Sequence, residues 1–126
     1  MTYKQIVLGM RRLIQKEYIG LLVCEGHELF PHTGVAIWKP CGYFIFASID
    51  QPEDELADTL VHEYIHVAKG HPKMIEDTMK GCSLEEASDT EMEIYTLELT
   101  RVVMSGLLSG ILRVVDIRDT IGGNHD

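Results

Sequence analysis

The sequence predicts an α+β domain: a first helix, a small antiparallel sheet of about three strands, a second helix and a long last helix. Three observations carry this expectation. Apolar residues recur at helical spacing near the start, over residues 53–69 and over residues 84–108. Between the first two of these segments, residues 20–50 are rich in β-branched and aromatic residues broken by glycine and proline. The length of 126 residues suits one compact domain over 1–126, and no linker, repeat or low-complexity stretch divides it.

The first helix is expected over residues 2–18. Ile6, Val7, Met10, Leu13 and Ile14 form its apolar stripe, and Gly20 is expected to end it. Leu21–Cys24, Val35–Trp38 and Tyr43–Ile49 read as strands, with Pro40-Cys41-Gly42 as the turn between the last two. Asp50-Gln51-Pro52-Glu53 reads as a helix start, with Asp50 as cap and acids beside the positive end of the dipole. That helix should run to about Lys69, with Gly70 as the residue that closes it. Residues 71–82 have no clear pattern. Ser83-Leu84-Glu85-Glu86 resembles a capping box and opens the long helix, which Gly106 or Gly110 should interrupt. A short helix is expected over residues 111–119.

Composition narrows the function classes. The net charge of −9 argues against a protein that tracks nucleic-acid phosphates, and against docking on an anionic membrane. No apolar run approaches the length of a spanning helix, and the first residues do not read as a secretory signal. Cys24, Cys41 and Cys82 are odd in number and scattered, which fits reduced thiols in a cytoplasm better than a disulfide framework.

The chemistry concentrates in His62-Glu63-Tyr64-Ile65-His66, an H-E-x-x-H pattern within a helix. Residues four apart share a helix face, so both imidazoles point the same way and can grip one ion. Zn²⁺ accepts imidazole nitrogen readily and takes about four ligands. Glu63 stands about 100° round the helix from His62, suited to take a proton from a water held by the ion rather than to bind it. The face of His62 also carries Glu55, Asp58, Thr59, His66 and Lys69, while Leu56, Ala57, Leu60, Val61, Tyr64, Val67 and Ala68 lie opposite. The helix should therefore bury its back and turn its histidines towards a polar cleft.

Two histidines leave a catalytic zinc one protein ligand short. On the long helix, Glu93 shares a face with Glu86, Thr90, Leu97, Met104 and Leu108, whereas Glu91 and Glu98 fall on the far side. Glu93 is the favoured third ligand. Glu86 is the alternate, although it is also the natural partner of Ser83 in the capping box. His71 is a further alternate: His62, His66 and His71 resemble the three-histidine metzincin pattern, but the spacing is off by one, which favours a supporting role.

At these residues the chain resembles gluzincins, zinc peptidases with H-E-x-x-H on one helix and a glutamate on the next. The closest likeness is to ImmA/IrrE-type domains and minimal gluzincins, over roughly residues 35–104. Glu91-Met92-Glu93-Ile94 looks like their E-x-E-A segment, whose second glutamate binds the metal; that carries over to Glu93. Ile94 departs from the small alanine, and Leu97 stands where thermolysin-like gluzincins have an aspartate. The partner that orients a ligand histidine is thus unassigned, with Asp58 and Asp89 as candidates.

The resemblance implies a zincin-like domain and a Zn²⁺-dependent endopeptidase acting on a protein or peptide substrate, with Glu63 as general base. It also implies a substrate added as an extra strand along Tyr43, Phe44 and Ile45. Tyr95, His71 and Tyr43 are candidate donors to the oxyanion. The competing expectation is a zinc-bound regulatory protein that captures a partner without useful turnover. The sequence gives no signal for oligomeric state.

Overall fold

A computed structural model describes residues 1–78 and 91–122 of the chain. Helix α1 (Tyr3–Lys16) starts at a capping box. The Gln5 amide donates to Thr2 Oγ1 at 3.1 Å and the Thr2 amide to Gln5 Oε1 at 2.8 Å, so two amides that lack helical partners are satisfied together. The helix ends before Gly20: Tyr18 adopts a left-handed φ of 60°, and Gly20 opens strand β1 (Gly20–Cys24). A short helix α2 (Gly26–Leu29) leads to the hairpin of β2 (Gly34–Lys39) and β3 (Gly42–Ser48), joined through Pro40-Cys41 as expected.

The sheet order is β1-β3-β2. β2 pairs antiparallel to β3, with Val35 opposite Phe46 and Ile37 opposite Phe44. β1 pairs parallel to β3, Gly20 against Phe44 and Val23 against Ala47. The sheet is therefore mixed, where an all-antiparallel one was expected. The cause is the connection. From β1 the chain passes through α2 to the far side of β3 and lays β2 there, so β3, returning beside β2, runs in the same direction as β1.

Helix α3 (Glu53–Ala68) carries the two histidines and packs against α1, β2, β3 and the last long helix. Asp50 does not cap it. The N-cap position is Pro52, with no side-chain hydrogen bond, and Glu53, Asp54 and Glu55 meet the positive end of the dipole. The Asp50 carboxylate instead accepts from the Gly26 amide at 2.7 Å, tying α2 to the end of β3. Gly70 closes α3 at φ +72°, as expected, and residues 71–78 form a further helix, α4 (His71–Thr78). Helix α5 (Glu91–Ser109) follows, ending before Gly110 at φ +81°. The Ser83–Glu86 capping box, Glu86 and Asp89 lie outside the described residues. A 3-10 turn (Val114–Asp116) and helix α6 (Ile117–Ile121) stand where a short last helix was expected.

The core lies where α1, α3, β3, α5 and α6 meet: Met10 and Ile14, Leu60, Val61 and Tyr64, Ile45, Leu107 and Ile117 are all essentially inaccessible. Burying side chains of this size stabilises by about 1.5–3 kcal/mol each. Polar ties fix the C-terminal part of α3 against this core. Lys69 Nζ donates to the Ile121 and Gly122 carbonyls at 2.6 and 2.7 Å. The Tyr64 hydroxyl donates to Glu17, which Arg118 Nε also reaches at 2.9 Å. α3 is thus a rigid platform on which the histidines stand.

Candidate metal centre

His62 and His66 project from the same side of α3 and their rings meet edge to face, centroids 4.7 Å apart. Glu93, from the first turn of α5, closes the triangle. Its Oε1 stands 3.0 Å from His62 Nε2 and its Oε2 stands 2.9 Å from His66 Nε2, while the two Nε2 atoms are 3.1 Å apart. The histidine side chains are 13 and 12% exposed and that of Glu93 37%, so Glu93 is the most solvent-accessible of the three. The sequence placed Glu93 on the inward face, and it is there. Its stripe differs in membership: Leu97 and Leu108 are partly exposed, and the buried positions are Thr96, Thr100, Val103, Met104 and Leu107.

Two threonines in that stripe were not singled out in the sequence, and one of them holds His62. Thr96 Oγ1 donates to the Met92 carbonyl and Thr100 Oγ1 to the Thr96 carbonyl, both at 2.7 Å. With its single proton committed to the helix, Thr100 Oγ1 faces His62 Nδ1, 3.2 Å away, as an acceptor. His62 therefore keeps a proton on Nδ1, and its Nε2, which faces Glu93, is the ring nitrogen that a metal ion would take in place of a proton. Thr100 is the orienting partner for which Asp58 was a candidate; Asp58 is exposed on α3 instead. The signal was present in the spacing 93-96-100-103-107, but threonine scores as neither apolar nor ligating.

His71 lies behind His66. Its Nδ1 meets His66 Nδ1 at 3.0 Å, on the ring edge away from Nε2, and Thr96 Oγ1 is 3.5 Å off. It supports a ligand rather than serving as the third one, in line with its off-by-one spacing. Burial, helped by the charges of His66 and Lys69, pushes the His71 imidazole down to about 4, so at neutral pH it is uncharged and can accept the His66 proton.

The electrostatics of the other groups follow from the same geometry. Hydrogen bonds from His62 and His66 hold the Glu93 carboxyl well below the usual carboxylate range, against the opposing effect of burial. Burial alone would lower His62; the Glu93 hydrogen bond and the charges of Glu63, Glu93 and Asp58 outweigh it and raise it. Glu63 is only 6% exposed, and burial raises its carboxyl despite the nearby charges of His66, His62 and His32. Its carboxylate comes within 4.8 Å of the imidazole donor atoms, a looser approach than that of Glu93.

These residues fit a zinc ion. Two imidazole nitrogens and one carboxylate make the donor set of an open catalytic site. Donors on a tetrahedral ion with bonds of about 2.1 Å stand about 3.4 Å apart. The observed separations, 3.1 Å between the two nitrogens and 2.9–3.0 Å from each nitrogen to its own Glu93 oxygen, are of the same order. Glu93, the nearer carboxylate, would supply the third donor, and Glu63 stands close by without approaching either imidazole as closely.

The centre forms the floor of a cleft of about 590 Å³. One wall is β2, through Gly34, Val35 and Ala36; the other is α5, through Met92 and Leu97; His32 and Thr33 stand at one end. The expected substrate strand, Tyr43, Phe44 and Ile45, is not exposed to this cleft. β3 is central, its backbone paired on both sides, and Ile45 is fully buried. The edge strand beside the cleft is β2. Tyr95 and Tyr43 do not line it either; Tyr95 lies under Lys69 Nζ, 5.6 Å from its ring centre.

Among the described residues no helix is long and apolar enough to cross a membrane. Comparison with protein-family models, with curated protein sequences and with solved structures finds no match to this chain.

Proposed function

We propose that the protein is a zinc-dependent endopeptidase of the gluzincin kind, similar to ImmA/IrrE-type domains. The observation that carries the reading is the meeting of His62 Nε2, His66 Nε2 and a Glu93 carboxylate within 3.1 Å of one another, with Glu63 beside them on the floor of an open cleft. His62, His66 and Glu93 would hold Zn²⁺, which lowers the pKa of a coordinated water towards about 7 and polarises a scissile carbonyl. Thr100 and His71 keep the two imidazoles in the tautomer that presents Nε2.

Glu63 accepts the proton of the attacking water as the oxygen–carbon bond forms, and returns it to the amine nitrogen as the carbon–nitrogen bond breaks. Its burial favours the protonated form that must exist between those two steps. The polypeptide substrate pairs with the outer edge of β2, which carries no further strand among the described residues, and thereby runs across the centre in extended form. Unpaired thiols at Cys24 and Cys41 support a cytoplasmic location.

Glu63→Gln tests the reading. Zinc content should stay at one per chain while peptide cleavage is lost. Undiminished cleavage by this variant would remove Glu63 from the mechanism. A zinc-loaded wild type that cleaves no peptide library, yet captures a partner tightly, would favour a binding role.

A further inference from the structure

We infer that His32 is the side chain that donates to the oxyanion in this reaction, a role for which the sequence had suggested Tyr95, His71 or Tyr43. The inference rests on the peptidase reading. Attack on a peptide carbonyl moves an electron pair onto its oxygen, and that charge needs a donor besides the ion. Among the described residues lining the cleft there is no lysine, arginine, tyrosine or tryptophan, and the nitrogen-bearing side chains are His32, His62, His66 and His71. His62 and His66 are ligands. His71 is buried and spends Nδ1 on His66. His32 alone is exposed to the cleft and outside the donor triangle.

Its position suits the role. His32 stands two residues before β2, on the segment where an extended substrate paired to that strand would pass the centre. The segment is firmly held: the His32 amide donates to the Leu29 carbonyl at 2.8 Å, and the Thr33 carbonyl accepts from the Ser48 amide at 2.9 Å and from Gln51 Nε2 at 3.1 Å. Thr33 Oγ1 meets Thr59 Oγ1, one turn before Glu63 on α3, at 3.2 Å. A Cβ at Gly34 would stand 3.1 Å from Glu63 Cγ, so the strand enters in contact with the general base. His32 and Glu63 line the same cleft, so we place the His32 ring on the side of the carbonyl oxygen whose carbon is attacked by water at Glu63. No electron or proton leaves His32 in the step; its ring N–H only donates a hydrogen bond to the oxygen as it gains charge.

The test pairs turnover with binding. Zinc-loaded His32→Ala should keep wild-type zinc stoichiometry and circular dichroism. Its kcat for a peptide should fall roughly 100-fold or more, the cost of removing one oxyanion donor, with KM little changed. His32→Arg should restore part of the loss. A phosphinic tripeptide, whose anionic oxygen imitates the oxyanion, should bind His32→Ala about 10-fold to 100-fold more weakly by calorimetry. A thiol tripeptide, which presents no such oxygen, should bind both proteins alike. Unchanged kcat in His32→Ala, in a background where Glu63→Gln is inactive, overturns the role of His32 and leaves the peptidase reading standing. Equal phosphinic binding by the two proteins also overturns it. Weaker phosphinic binding by His32→Ala in a protein whose wild type cleaves nothing upholds His32 as the donor and overturns turnover instead.

Discussion

Thr100 does not line the cleft, yet the proposed metal centre would depend on it. Its hydroxyl accepts from His62 Nδ1 at 3.2 Å and is itself fixed by its bond to the Thr96 carbonyl. Replacing it with valine keeps the shape and removes the acceptor, leaving His62 free to adopt the other tautomer. Thr100→Val should therefore weaken zinc binding about 10-fold to 100-fold, measured by competition with a chromophoric chelator, while Thr100→Ser should stay near wild type. His71 predicts a pH effect in the metal-free protein. Its imidazole titrates near 4 when folded and near about 6.5 when unfolded. Between those values the unfolded chain binds a proton that the folded chain does not, so stability is present above about pH 6.5 and is lost as the pH falls towards 4. Urea titrations across that window should show a shallower acid slope in His71→Asn than in wild type.

Helices α3 and α5 were the most legible parts of the chain, and the reason is periodicity. A ligand pair four residues apart is visible without any tertiary knowledge, and Glu93 follows from the same geometry on a second helix. What was hidden depends on contacts between elements. Parallel pairing of β1 with β3 cannot be seen in Leu21–Cys24, because a short apolar strand reads the same in either direction. Asp50 looks like a cap until Gly26 is found 2.7 Å away, competing for its carboxylate. The approach of β2 to α3 is also tertiary, and it is set by one glycine. A Cβ at Gly34 would collide with Thr59 Cγ2 and crowd Glu63, and both belong to the rigid face of α3. Gly34→Val should push β2 away from α3, widening the cleft at the general base. Cleavage should fall at least 10-fold through kcat, and zinc affinity should change little, since His62, His66 and Glu93 lie on other elements. A loss of zinc affinity as large as that of Glu93→Ala would show instead that β2 holds the centre together.

At the scale of the whole domain, the proposed centre would join α3 to α5, because His62 and His66 on one meet Glu93 on the other. Between these helices the chain runs through α4 and the residues that follow, so the ion would act as a clasp across a long stretch of chain. An ion that binds only the folded form stabilises it by mass action, about 2.7 kcal/mol when free ion is at 100 times its dissociation constant. For a domain of this length that gain corresponds to a rise in Tm on the order of 10 °C. Calorimetric scans with and without zinc should show it in wild type and equally in Glu63→Gln, whose side chain would stand beside the ion rather than bind it. Glu93→Ala should forfeit most of the rise, because the two remaining imidazoles belong to a single helix that is already rigid, and binding there joins nothing. If Glu63→Gln loses the rise and Glu93→Ala keeps it, the nearer carboxylate is not the ligand, and the roles of the two glutamates must be exchanged.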